Sequence, residues 1–228
     1  MITHPERDGG KTGAFHLVPL GLVFLISLAA IHSLLNHLRP QAGAKQYLDD
    51  TPPITQLSSM PFHSASLSTI FTEEILHWTS DIARWAADYN LDPNLIAIVM
   101  QIESCGHPNV VSFAGALGLF QVMPFHFVED ENPFDPDINA HRGLRYLARA
   151  LELAQGDVSL AMAGYNGGHS VIEWSSMRWS QETKRYVYWA SGIYADIKKG
   201  ADESPRLGEW LAAGGSSLCS RASYALNT

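Results

Sequence analysis

The chain has 228 residues, 46% of them hydrophobic, and a formal net charge of −8. That length suits one domain with extensions, and the apolar fraction is enough for a packed core. The acidic balance, with no basic stripe, argues against nucleic acid as a partner and against docking on anionic lipid.

Leu17–Leu35 is a nearly continuous apolar run, broken mildly by Pro19, Ser27 and His32. A membrane-spanning helix needs about 20 such residues, whereas the core of a signal peptide has about 7–15. Arg7 and Lys11 precede the run and Arg39 follows it, a slight bias that puts the N-terminus in the cytoplasm. We therefore expect a cytoplasmic segment over 1–16 and a transmembrane helix over 17–35. The alternative is a signal cut near Ala42-Gly43-Ala44, which would release the protein. Both place the rest of the chain outside the cytoplasm. Residues 36–66 carry Pro40, Pro52, Pro53 and Pro61 without an amphipathic period and form an extended linker.

From Ser68 the pattern turns helical. Ile70, Phe71, Ile75, Trp78, Ile82 and Trp85 recur at three- and four-residue spacing, which is one apolar helix face. Asp92-Pro93 opens the next helix, with Asp as cap and Pro at the first helical position. The stretch from Cys105 to Gly115 is loop. Asp137 is the predicted cap of a helix that buries Ile138, Leu144, Leu147, Ala148 and Leu151 and ends near Gly156. Asp157 caps another, stopped by Gly167-Gly168. Ser180 opens one through Tyr186, Trp189, Ile193 and Ile197, closed by Gly200, and a short helix spans 207–211. No convincing strand alternation occurs, so the expected class is all-α. The globular domain is expected over 67–213, with a C-terminal tail over 214–228.

Glu103 ends the apolar stretch that begins at Leu95. A carboxylate there is costly unless it is paired or protonated. In the last turn of a helix the macrodipole also disfavours negative charge. Both effects raise its pKa, which suits a general acid. A helix-end Glu turned out to solvent is the plainer reading of this segment alone. Cys105 and Cys219 are the two cysteines; in an oxidising compartment they can form one bridge, and two free thiols are the alternative. His63, His77, His107, His126, His141 and His169 are scattered without ligand spacing, so no metal site is expected, and no nucleotide fingerprint implies a cofactor.

The residues around Glu103 form ordered blocks. Glu103-Ser104 is followed by a loop, then Gly118-Leu119-Phe120-Gln121-Val122-Met123-Pro124, then Gly164-Tyr165-Asn166, then Glu182-Thr183 and Tyr186-Val187. This resembles the catalytic core of the soluble lytic transglycosylases, whose fold is that of goose-type lysozyme. Phe120 stands where the family has Met, and Gly164 where it has Ala. The latter should loosen that helix turn slightly. The resemblance covers roughly 69–197 and leaves the N-terminal third unexplained.

The resemblance implies a peptidoglycan-cleaving enzyme with Glu103 as general acid and then base. It implies substrate contacts from Ser104, Gln121, Tyr165 and Asn166, with Tyr165 orienting Glu103 and Glu182 in support. Most glycoside hydrolases need two carboxylates, and Asp88, Asp92, Asp137 and Asp157 are caps or solvated helix ends. Glu129-Asp130-Glu131 reads as a solvated loop. The resemblance thus favours non-hydrolytic cleavage of the MurNAc–GlcNAc bond, in which the sugar's own groups replace the second carboxylate. A goose-type hydrolase, or a wall-binding module without activity, is the rival reading. The expected partners are glycan strands and, through the N-terminal helix, the membrane, for a monomer.

Overall fold

The computed structural model of the chain describes residues 66–227. The apolar run 17–35 and nearly all of the linker lie outside the described residues. Among the described residues no helix is long and apolar enough to cross a membrane.

The first helical pattern splits into α1 (Glu73–Leu76) and α2 (Thr79–Tyr89). The break falls at His77-Trp78. The Trp78 indole donates to the Gly106 carbonyl at 3.0 Å and stacks on Trp85. Trp78 thus serves the loop after Glu103, at the cost of a helix junction. Next, α3 (Pro93–Glu103) opens as expected, the Asp92 carboxylate accepting from the Asn94 amide at 2.9 Å. Asn94 through Gln101 are all buried. A helix apolar all round belongs in the middle of a core, and α3 lies there, flanked by α2 and by α6 (Gln181–Lys198).

The next helix, α4 (Pro136–Leu153), corrects one expectation. Its cap is Asp135, whose carboxylate accepts from the Asp137 and Ile138 amides at 3.0 Å each. Pro136 holds the first helical position, which leaves Asp137 inside the first turn. There Asp137 accepts from Arg84 at 2.7 Å and from the Trp85 indole at 2.8 Å, tying α4 to α2. Asp157 and Ser180 cap α5 (Val158–Gly167) and α6 as expected. α5 packs between α4 and α6.

Ser204 caps α7 (Pro205–Trp210). A wide turn, Leu211–Gly215, leads into α8 (Ser216–Leu226), so most of the segment expected to be a tail is helical. Cys105 and Cys219 form a disulfide across 114 residues. It fastens α8 to the chain just after Glu103. A loop of that size contributes on the order of 4–5 kcal/mol in the chain-entropy model. The described residues are helical apart from loops and two isolated bridge pairs, Val111–Leu117 and Leu117–Val122.

Candidate active site

Glu103 closes α3, and Ser104 is its C-cap. The helix before it is buried from Asn94 to Gln101, and the pKa of the Glu103 carboxyl is raised to about 8. Burial is the main cause. A hydrogen bond from Tyr186 pulls the other way, and the charge of Glu182 pushes further up. At neutral pH the group is therefore mostly protonated, yet its residue keeps partial exposure.

Tyr186, on α6, is the functional candidate that the sequence reading did not single out. Its phenol is buried and faces Glu103 closely enough to lower the acid's pKa, but it has no hydrogen bond of full geometry. Burial and the neighbouring charge keep the phenol neutral, its pKa well above the ordinary value. Tyr165, expected to orient Glu103, sits differently. Its hydroxyl donates to the Phe120 carbonyl at 2.8 Å, and its ring lies parallel to that of Tyr186 at 6.5 Å. Tyr165 feels the Glu103 charge without a hydrogen bond to it.

Ser104 is fully buried, and its bonds are structural. Its hydroxyl donates to the Leu119 carbonyl at 2.7 Å and accepts from the Gly106 amide at 3.1 Å. It therefore laces the end of α3 to the loop that carries Gln121. That loop is also organised by Asn139, a buried residue of α4. The Asn139 amide donates to the carbonyls of Leu117 and Pro133 and accepts from the Phe120 amide, each at 2.8 Å. Gly118, at φ +72°, lies against the Asn139 side chain, where a Cβ would collide. Only glycine meets both conditions at low cost.

Gln121 holds φ +47°, rare for a residue with a side chain. Its amide nitrogen donates to Val110 and Gly118 carbonyls at 3.3 and 3.0 Å. Both donor hydrogens are thus engaged, and the Oε1 acceptor has no hydrogen bond to another described residue. Asn166 accepts from the Thr183 hydroxyl at 2.9 Å, and Thr183 takes its own hydrogen bond from Ser180 at the start of α6. Glu182 is exposed in the first turn of α6. Gly164 makes room: a Cβ there would fall 2.6 Å from Ile172. The glycine is accounted for by packing rather than by a looser turn.

Glu131 is not the solvated residue the sequence suggested. It makes a two-pronged ion pair with Arg142, at 2.7 and 2.9 Å, which holds its pKa below the ordinary value. Among the described residues, Glu74, Cys105 and Cys219 are a grouping of metal-ligating types. Both sulfurs are spent in the disulfide, and a coordinating thiolate would need them free.

Residues 80–187 match the family model described as the transglycosylase SLT domain. A transglycosylase of Enterobacteria phage PRD1 is 38% identical over 113 residues, covering 49% of this chain and 40% of that protein. The membrane-bound lytic murein transglycosylase E of Buchnera aphidicola is 28% identical over 94 residues, covering 35% of this chain and 44% of that one. The chain thus spans less than half the length of either relative. A solved structure, an inactive mutant of lytic transglycosylase Slt from Pseudomonas aeruginosa, overlaps 56% of this chain and 25% of its own at 22% identity, with a TM-score of 0.44. The blocks from Glu103 to Tyr186 fall within the matched span, so the part of the chain that carries the site is similar to the transglycosylase SLT domain.

Proposed function

We propose that the protein is a peptidoglycan lytic transglycosylase with a lysozyme-like fold, and that Glu103 is its general acid and then its base. The observation that carries this reading is an acid at the end of a buried helix with a pKa near 8. An acid poised near the working pH can both give and take a proton.

In the proposed reaction Glu103 protonates the oxygen of the MurNAc–GlcNAc β-1,4 bond. The carbonyl oxygen of the muramoyl N-acetyl group bonds to C1 as the leaving sugar departs. The Glu103 carboxylate then removes the proton from the C6 hydroxyl. That oxygen displaces the N-acetyl oxygen at C1, which closes a 1,6-anhydro ring and returns Glu103 to its protonated form. No water is consumed. Tyr186 moderates the acidity of Glu103 and can hydrogen-bond its anionic form between the two steps. The Oε1 of Gln121 and the amide nitrogen of Asn166 are suited to sugar hydroxyl and N-acetyl groups. Tyr165 and Ser104 position the walls through Phe120 and Leu119.

A hydrolase would need a second carboxylate holding a water. Glu182 is the carboxylate whose charge reaches Glu103, and it is exposed in the first turn of α6. Mass analysis of digested peptidoglycan distinguishes the two. Anhydro ends support the proposal, and reducing ends contradict it. The names of relatives such as the Buchnera protein and the run 17–35 both favour a protein anchored in the membrane with its domain outside the cytoplasm.

A further inference from the structure

The disulfide sits in polar surroundings that a disulfide does not require. Cys105 and Cys219 are both buried. Gln101, also fully buried, donates from Nε2 to both sulfurs, at 3.0 Å to Cys105 Sγ and 3.5 Å to Cys219 Sγ. Its Oε1 accepts from the Thr72 amide at 3.3 Å and from the Thr72 hydroxyl at 3.2 Å, which fixes the amide in that orientation. Glu74 of α1 brings Oε2 to 4.0 Å from Cys105 Sγ, and its Oε1 accepts from the Ser223 hydroxyl of α8. An oxygen of Glu74 and the two sulfurs thus lie within 4.8 Å of one another.

Disulfide sulfur is a weak acceptor, so a sealed amide that spends its N–H bonds on two such sulfurs is poorly compensated. Thiolates would take the same bonds as strong, charge-assisted ones. Two thiolates beside a carboxylate in turn need a cation to offset them. We propose that the thiol form of the chain holds one divalent cation of the zinc class between Cys105 Sγ, Cys219 Sγ and a Glu74 carboxylate oxygen. Two thiolates and a carboxylate are a zinc-type donor set, and Glu74 keeps partial exposure, so that water can complete a tetrahedron. Bonds of about 2.0–2.3 Å put such ligand atoms about 3.5–3.8 Å apart. Sulfurs freed from the S–S bond reach that spacing by moving about 1 Å each. The bonds from Gln101 to the sulfurs and from Ser223 to Glu74 are the outer contacts that orient metal ligands.

A chain is made with its cysteines as thiols, so this form precedes the disulfide. The two forms interconvert with a balanced exchange. A dithiol reductant gives two electrons and two protons to the S–S bond and is itself oxidised to a disulfide. The two thiol protons then leave to solvent as the ion binds. The ion would tie α1, the end of α3 and α8 together, and the disulfide later takes over the link between the last two. Ion and disulfide exclude one another, so the acidity of Glu103 in the disulfide form is that of a metal-free protein. The proposal does not depend on the glycan-cleaving reading.

The test uses the full chain, reduced with excess dithiol and freed of the reagent under nitrogen. Co2+ is titrated in as a spectroscopic stand-in for zinc. The expected result is one thiolate-bound Co2+ per chain, seen as a near-ultraviolet thiolate-to-cobalt charge-transfer band that Zn2+ abolishes by displacement. Histidine or carboxylate sites elsewhere do not give that band. Glu74→Gln should weaken binding at least about 10-fold, since loss of an outer contact alone costs about 10- to 100-fold. Zn2+ should raise the melting temperature of the reduced chain and leave that of the disulfide form in place. Absence of the band in the reduced chain, folded or not, would overturn the proposal. So would the same band in the disulfide form, or an unchanged melting temperature with Zn2+. Equal affinity in Glu74→Gln would overturn it as well, because two thiols alone would then account for the binding.

Discussion

The two sides of Glu103 differ in how they are built. On one side, the Gly118–Gln121 loop is held by a dense set of hydrogen bonds from buried Ser104 and Asn139, and Tyr165 adds one more. On the other, α6 offers Tyr186, with an incompletely bonded phenol, and Glu182, with a free charge. The first side fixes position; the second sets acidity. Substitutions on the two sides should therefore separate in kind as well as in size.

The largest effect falls on the acid they share. Glu103→Gln should lower turnover of peptidoglycan by about 10³-fold, since a general acid contributes about 10²–10⁴. Retained muropeptide release would end the comparison, because there would be no acid to position or tune. The same substitution has a stability consequence with a definite sign. A carboxylate whose folded pKa is raised from 4.5 to about 8 binds more protons in the folded state than in the unfolded one over that window. Stability is then progressively lost as pH rises from about 4.5 to 8. Glu103→Gln should remove that loss and raise stability at pH 8 relative to wild type by on the order of 2 kcal/mol, discounted for partial exposure. No gain at pH 8 over pH 4 in paired denaturant melts would contradict it.

Asn139→Ala comes next, on the positioning side. It strands the Leu117 and Pro133 carbonyls and the Phe120 amide, and should destabilise the fold by about 2–3 kcal/mol. Denaturant unfolding measures the loss, and the alkaline limb of the pH–rate profile should stay in place. Tyr186→Phe should do the reverse. Loss of a hydrogen bond to the carboxylate raises the pKa of Glu103, so the alkaline limb should move up by ~0.5–1 pH unit with little change in unfolding. If both variants move both readouts alike, the division of labour fails. Glu182→Gln should give the smallest effect. It removes a repulsive charge, which lowers the Glu103 pKa and shifts the limb down by a few tenths of a unit at low salt, less at high salt.

The helix that carries Glu103 was legible in the sequence, because local rules specify it. Asp92-Pro93 and the apolar run ending at Glu103 predict α3 and its terminal acid directly. The same Asp-Pro signature occurs at Asp135-Pro136 and marks the true cap of α4; the periodic pattern alone suggested Asp137. The role of Tyr186 was not legible, since it depends on α6 packing beside α3 across 80-odd positions of chain. Nor were the break at Trp78, which follows from its bond to Gly106, and α8, whose Ser- and Ala-rich sequence carries weak helical periodicity and which the disulfide and α1 hold in place. Glu131 looked solvated because its partner, Arg142, belongs to the next helix. The ordered blocks pointed to the site, while the bonds of Ser104 and Tyr165 to the loop carbonyls came from the fold.

The most direct test of the acid at Glu103 is its own titration. Carbon-13 NMR of glutamate-labelled protein, compared with the same spectra of Glu103→Gln, isolates its side-chain carboxyl signal across pH. A midpoint near 8 is the predicted result. A midpoint in the ordinary carboxylate range, at about 4–5, would show an ionised, solvated helix-end Glu and would contradict the account.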